Sequence, residues 1–130
     1  MERKTEVMVV DDEHDFRELM TIWLKSKGYS VVTASNGETA IRMVNEHRPD
    51  IIFLDLNMPV LNGIQTLAGI RKTDKTLPVI IISAYLEQMS AQEAKDYNVS
   101  GVFYKGEDFE KGLALLESAL RGHKDLKEKG

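Results

Sequence analysis

Five polar side chains in this sequence fall directly after short apolar runs. Asp11 and Asp12 follow Glu6-Val7-Met8-Val9-Val10, and Asp55 follows Ile51-Ile52-Phe53-Leu54. Ser83 follows Val79-Ile80-Ile81-Ile82, and Lys105 follows Gly101-Val102-Phe103-Tyr104. Three carboxylates, a hydroxyl and an ammonium suit one chemistry, that of a divalent cation beside a phosphoryl group. Two like charges ~4 Å apart repel by roughly 4 kcal/mol at an effective dielectric of 20. Crowded carboxylates therefore call for a cation. Mg²⁺ takes hard oxygen ligands and needs only one or two carboxylates beside phosphate oxygens and water. A carboxylate such as Asp55 can attack phosphorus and become an acyl phosphate. Ser83 can donate to a phosphoryl oxygen, and Lys105 offers a compact charge on a flexible stem. Each residue alone has a plainer reading. Asp11-Asp12 can cap a helix, and Asp55 can open an Asx turn. Ser83 can bond local backbone, and Lys105 can be solvated. It is their shared placement at four strand ends that favours phosphate and metal.

The elements that must position them alternate along the chain. The spacing of Phe16, Leu19, Met20, Trp23 and Leu24 predicts an amphipathic helix over 14–27, ended by Gly28. Tyr29 to Thr33 reads as a strand, and Asn36-Gly37 as a turn. A second helix spans Glu38 to His47, broken by Arg48-Pro49-Asp50. After a loop over 58–63, Ile64, Leu67 and Ile70 mark a third helix ending near Asp74. A weaker helix covers Glu87 to Tyr97, anchored by Met89, Ala94 and Tyr97. The last begins near Glu107, with Phe109, Leu113, Leu116 and Leu120 on one face and Leu115 off it. Strands separated by helical stretches imply right-handed βαβ crossovers and a parallel sheet. The unbroken Val79-Ile80-Ile81-Ile82 run fits a strand covered by helices on both faces. The fold class is α/β, a doubly wound five-stranded parallel sheet. In such sheets ligands bind outside the carboxyl ends of the strands, where the five polar residues stand.

Bulk properties narrow the function. The chain has 130 residues and a net charge of −4, which argues against direct nucleic-acid binding by this domain. Absence of cysteine excludes a disulfide framework and thiol chemistry. No apolar run approaches the ~20 residues of a membrane span, and the charged start does not read as a signal segment. A cytoplasmic protein with no membrane contact is expected. His14, His47 and His123 have no ligand spacing and read as surface residues.

At these residues the chain resembles the receiver domain of two-component response regulators. The likeness rests on Val9-Val10-Asp11-Asp12-Glu13, on Pro49 to Pro59 around Asp55, and on Asn62-Gly63, Ser83-Ala84 and Lys105. It runs over residues 6–122, with 1–5 as an N-terminal extension and 123–130 as a charged tail or linker start. The resemblance implies the flavodoxin-like strand order 2-1-3-4-5. It implies that Asp55 accepts a phosphoryl group from a sensor histidine kinase or phosphotransfer protein. It further implies that Asp11, Asp12, Asp55 and the backbone carbonyl of Asn57 hold Mg²⁺, and that Ser83 is a switch hydroxyl. The resemblance also implies that Lys105 pairs with a phosphoryl oxygen and that a downstream effector protein or domain reads the result. Such a receiver is no enzyme in the ordinary sense, though it assists its own phosphorylation and dephosphorylation. The responding face is expected near the Glu87–Tyr97 helix, the last strand and the last helix.

Two departures stand out. Gly106 follows Lys105 where this family usually has proline, and Val102 occupies the place of the usual coupling aromatic. They lend support to a rival reading, an interaction module with this fold that ignores phosphate. A second rival is an aspartate-nucleophile phosphatase of the haloacid-dehalogenase type. That chemistry wants an acid two residues after the nucleophile, and here Asn57 stands there.

Overall fold

The computed structural model describes residues 3–84 and 89–129. Strands and helices alternate as β1 (Glu6–Val10), α1 (His14–Ser26), β2 (Ser30–Ala34), α2 (Gly37–Glu46) and β3 (Ile51–Asp55). Then follow α3 (Gly63–Thr73), β4 (Val79–Ser83), α4 (Ala91–Asp96), β5 (Gly101–Tyr104) and α5 (Phe109–Lys129). The strands form one sheet in the order β2-β1-β3-β4-β5. Every neighbouring pair is parallel. The fold class and strand order are those expected.

Alternation along each strand divides the core in two. Met8, Val10, Ile52, Leu54, Val79 and Ile81 face one side, against Ala40 and Val44 of α2 and Leu67 and Ile70 of α3. Val7, Val9, Ile51, Phe53, Ile80 and Ile82 face the other, against Met20 and Leu24 of α1 and Leu116 of α5. Because both faces are covered, β3 and β4 are buried at every residue, Asp55 and Ser83 included. That enclosure sets the electrostatics of the site.

Helix starts follow local side-chain chemistry. Asn36 caps α2 by accepting from the Thr39 N–H. Asn62 with Gln65 and Ser90 with Glu93 form capping boxes on α3 and α4. α1 is the exception: its N-cap is Glu13, whose side chain makes no cap hydrogen bond. Gly28 ends α1 at φ +96, a conformation that a side chain would strain.

Some sequence expectations need correction. Leu19 is 53% exposed, because it lies at the margin of the stripe centred on Met20 and Leu24. Leu115 does not stand off the core. It packs against the α1/α5 cluster, where Gly101 leaves it room. α4 starts at Ala91 rather than near Glu87, and Glu87 and Gln88 lie outside the described residues. The charged tail continues α5 through Lys129.

Arg71 on α3 is buried although basic residues usually read as surface. Its Nε donates to the Tyr97 carbonyl at 2.8 Å, and its other nitrogens donate to the Asp74 and Asn98 carbonyls at 3.0 and 3.2 Å. One guanidinium thus satisfies carbonyls at the C-terminal ends of both α3 and α4. It fixes that end of α4 to α3.

Candidate functional site

Parallel register brings four strand ends to one rim. Val10 pairs with Leu54, Asp55 with Ile82, and Ser83 with Tyr104. Backbone bonds continue past the strands. Asp11 N–H donates to Ala34 O at 3.2 Å, Leu56 N–H to Ile82 O at 3.1 Å, and Lys105 N–H to Ser83 O at 2.8 Å. Asp11, Asp12, Asp55, Ser83 and Lys105, separated by up to 94 residues of sequence, therefore meet at one edge.

Asp11, Asp12 and Asp55 each present a carboxylate oxygen, all within 4.8 Å of one another. Asp11 and Asp55 are buried and Asp12 is exposed. Asp11 Oδ1 accepts the Glu13 N–H at 2.8 Å, and Asp55 Oδ1 accepts the Asn57 N–H at 3.1 Å. Asp55 therefore makes the Asx turn, whereas Asp11 turns the chain just before α1 and the N-cap itself is Glu13, so the cap reading of Asp11-Asp12 does not hold. These bonds occupy one oxygen of each carboxylate, leaving the Oδ2 atoms, neither of which receives a well-directed hydrogen bond. Lys105 Nζ lies 3.1 Å from Asp11 Oδ2 and 3.8 Å from Asp55 Oδ2. It also pairs with Glu13 Oε1 and sits 4.8 Å from the centroid of the Phe16 ring. Phe16 meets Phe109 edge-on at 6.3 Å, and Phe109 meets Trp23 at 5.2 Å.

Burial, followed by repulsion from Asp11, pushes the Asp55 carboxyl up to about 7. Burial also raises Asp11, against opposing bonds from the Glu13 N–H and Lys105. Burial opposes the Lys105 charge, but hydrogen bonds with Glu13 and Asp11 outweigh it, so its pKa is raised. Two buried carboxylates facing each other can be satisfied by one shared proton or by a cation. Converging hard oxygens, two of them buried without a hydrogen bond, fit Mg²⁺.

The flanking loop is shaped by two residues. Gly63, the first residue of α3, lies against the backbone of Asp55 and Leu56 and donates its N–H to Leu56 O at 3.0 Å. Val60 stands at φ 65 and is fully exposed. A β-branched side chain in the left-handed region costs about 1–2 kcal/mol, and here no burial offsets it. Val60→Asn is expected to stabilise the protein by about 1 kcal/mol, since asparagine tolerates this conformation. Thermal unfolding measures it, and an unchanged or lower melting temperature would contradict the strain.

Asn57 is exposed beside Asp55. Gly106 adopts φ 94, which proline cannot reach, so glycine here follows from the turn after Lys105. Val102 packs at the margin of the α2/α3 core, while Tyr104 stands beside Ser83. His14 and His47 are exposed, as expected. Sequence reasoning gave Glu13 and Phe16 no part here. The Asp11-Asp12-Glu13 run was the one available signal for Glu13.

A family model described as response regulator receiver domain matches residues 7–117. The transcriptional regulatory protein KdpE of Mycobacterium tuberculosis is 38% identical over 117 residues, 90% of this chain and 51% of that protein. Sporulation initiation phosphotransferase F of Bacillus subtilis is 32% identical over 121 residues, 93% of this chain and 94% of its own length. The chain thus spans about half of the first curated relatives it matches. Among solved structures, chemotaxis protein CheY4 of Vibrio cholerae aligns with a TM-score of 0.84 at 28% identity, over 90% of this chain and 99% of that one. NtrX from Brucella abortus aligns with a TM-score of 0.88 at 28% identity, over 97% of this chain and 29% of that one. With the family model, the sheet order and the acidic rim all in agreement, the chain belongs to the response regulator receiver family, whose members signal in two-component systems.

Proposed function

We propose that this chain is a phosphorylation-controlled switch in which Asp55 accepts a phosphoryl group from a sensor histidine kinase or phosphotransfer protein. The observation that carries the reading is the pair of buried Oδ2 atoms, on Asp11 and Asp55, that lack hydrogen bonds beside the Lys105 ammonium. Asp11, Asp12, Asp55 and the Asn57 carbonyl would hold Mg²⁺. Bound there, the ion would neutralise charge spreading over the transferring oxygens.

In the transfer, an Asp55 carboxylate oxygen bonds to phosphorus. The phosphorus–nitrogen bond of the donor phosphohistidine breaks, and its electron pair returns to the imidazole. Lys105 supplies positive charge to the phosphoryl oxygens, and the Ser83 hydroxyl donates to one of them. Later attack by water on phosphorus breaks the bond from phosphorus to the Asp55 oxygen, releasing inorganic phosphate and returning the carboxylate. The modified residue carries about −1.5 to −2 of charge. Drawing Ser83 toward it would bias α4, β5 and α5, with Arg71 fixing the far end of α4 and Val102 following by packing. Residues 6–122 act as the receiver, flanked by a short extension and a charged helical tail. An effector protein or domain reads the altered face, as the related transcriptional regulators suggest by analogy.

Acetyl phosphate with Mg²⁺ tests the reading, because the phosphorus–oxygen bond breaks and acetate leaves. Intact mass should show one phosphoryl adduct in the wild type. The adduct should vanish in Asp55→Ala and in chelator. An adduct that persists in Asp55→Ala places the acceptor elsewhere and sinks the proposal.

A further inference from the structure

Glu13 occupies the N-cap of α1 without capping it. Serine, threonine, aspartate or asparagine would serve that position better. Its carboxylate instead pairs with Lys105, 92 residues away in sequence. The other carboxylates near the ammonium belong to Asp11 and Asp55, which are buried and fixed by turn bonds. Glu13, 62% exposed, is the partner that can swing into water at little cost. The ammonium meanwhile stands 3.8 Å from Asp55 Oδ2, beyond direct hydrogen bonding, with the Phe16 ring on its flank.

We propose that Glu13 is a latch on Lys105: it holds the ammonium off Asp55 in the unmodified protein and must release it when an anionic phosphoryl group forms there. This rests on Asp55 being the phosphoryl acceptor. Glu13 is then a positioning residue that sets how strongly the site retains the group. An ammonium has three donors, and the phosphoryl oxygens compete with Glu13 for one of them. Removing Glu13 spares the exchange.

The test compares wild type, Glu13→Gln and Glu13→Asp. Beryllium fluoride with Mg²⁺ serves as the phosphoryl mimic, and calorimetry gives its affinity. Both variants should bind roughly fivefold tighter, the effect expected of one partly exposed ion pair. Glu13→Asp is the discriminating variant, since it keeps the charge but shortens the reach by a methylene. If it binds as wild type while only Glu13→Gln tightens, the effect is a diffuse field, and the latch is overturned. Unchanged affinity in both variants also overturns it.

A second readout needs no phosphoryl group. In metal-free protein, the side-chain NMR signals of Lys105 should move in both variants, and stationary signals overturn the latch. A wild type that binds no beryllium fluoride refutes the reading of Asp55, while the Lys105 signals still decide whether Glu13 holds the lysine.

Discussion

Asp55→Asn is expected to raise the stability of the metal-free protein by about 3 kcal/mol at pH 8, an advantage that fades as pH falls toward 4. Burial and the neighbouring Asp11 push the Asp55 carboxyl up to about 7. A carboxyl raised on folding keeps its proton more tightly in the folded chain than in the unfolded one. The stability it contributes is fully present below the unfolded value near 3.9 and is lost as pH rises through about 7. Asp11 is raised as well, so its contribution has the same sign. Asparagine removes the charge, and its amide can donate to the Asp11 Oδ2 atom that lacks a hydrogen bond. Its oxygen can still accept the Asn57 N–H that Asp55 accepts now. Urea midpoints in chelator at pH 4, 6 and 8 would measure the gap. At pH 8 it should be about 1–3 M for ordinary urea slopes. Saturating Mg²⁺ should close much of it, because a ligand of the folded state alone stabilises by mass action. A gap that ignores pH would show that carboxylate crowding is not its cause.

Gly63→Ala should be the most disruptive single methyl group near the site, costing about 3 kcal/mol. A Cβ there would lie 2.4 Å from the Asp55 carbonyl oxygen and 2.5 Å from Leu56 Cα. Both obstacles are backbone of the strand end that carries Asp55, so relief requires α3 to move away from β3. That motion breaks the Gly63 N–H bond to Leu56 O and shifts the acceptor carboxylate. Phosphoryl uptake should fall together with stability. Gly69→Ala is an informative control, since its Cβ would come within 2.5 Å of only the Ile41 side chain, which can rotate. Chemical unfolding of the two variants separates backbone from side-chain obstruction. Equal losses would contradict the account.

The sequence made the architecture legible because both faces of the sheet are covered. Unbroken apolar runs at Ile51–Leu54 and Val79–Ile82 read as buried strands because they are short and rich in β-branched residues, and helical periodicity filled the gaps between them. Strand order was not in that pattern. It came with the family resemblance, and the sheet agrees. The acidic rim was legible because each polar residue ends or directly follows a strand, and parallel register carries strand ends to one edge. What escaped were residues whose role is decided by tertiary geometry. Arg71 is basic yet buried, and no local pattern says that two helix ends will converge on it. Val60 gives no hint of its left-handed backbone, because its type opposes it. Leu115 was misread because α5 packs over a glycine, which widens the stripe the helix can bury.

The ring contacts between α1 and α5 have a practical outcome. The chain contains one tryptophan, so its indole emission has a single source. Trp23 touches Phe109, Phe109 touches Phe16, and the Lys105 ammonium lies against Phe16. The molecule thus carries a label-free optical gauge of how α1 sits on α5, two ring contacts and one cation–ring contact from the chemistry and built entirely from its own side chains.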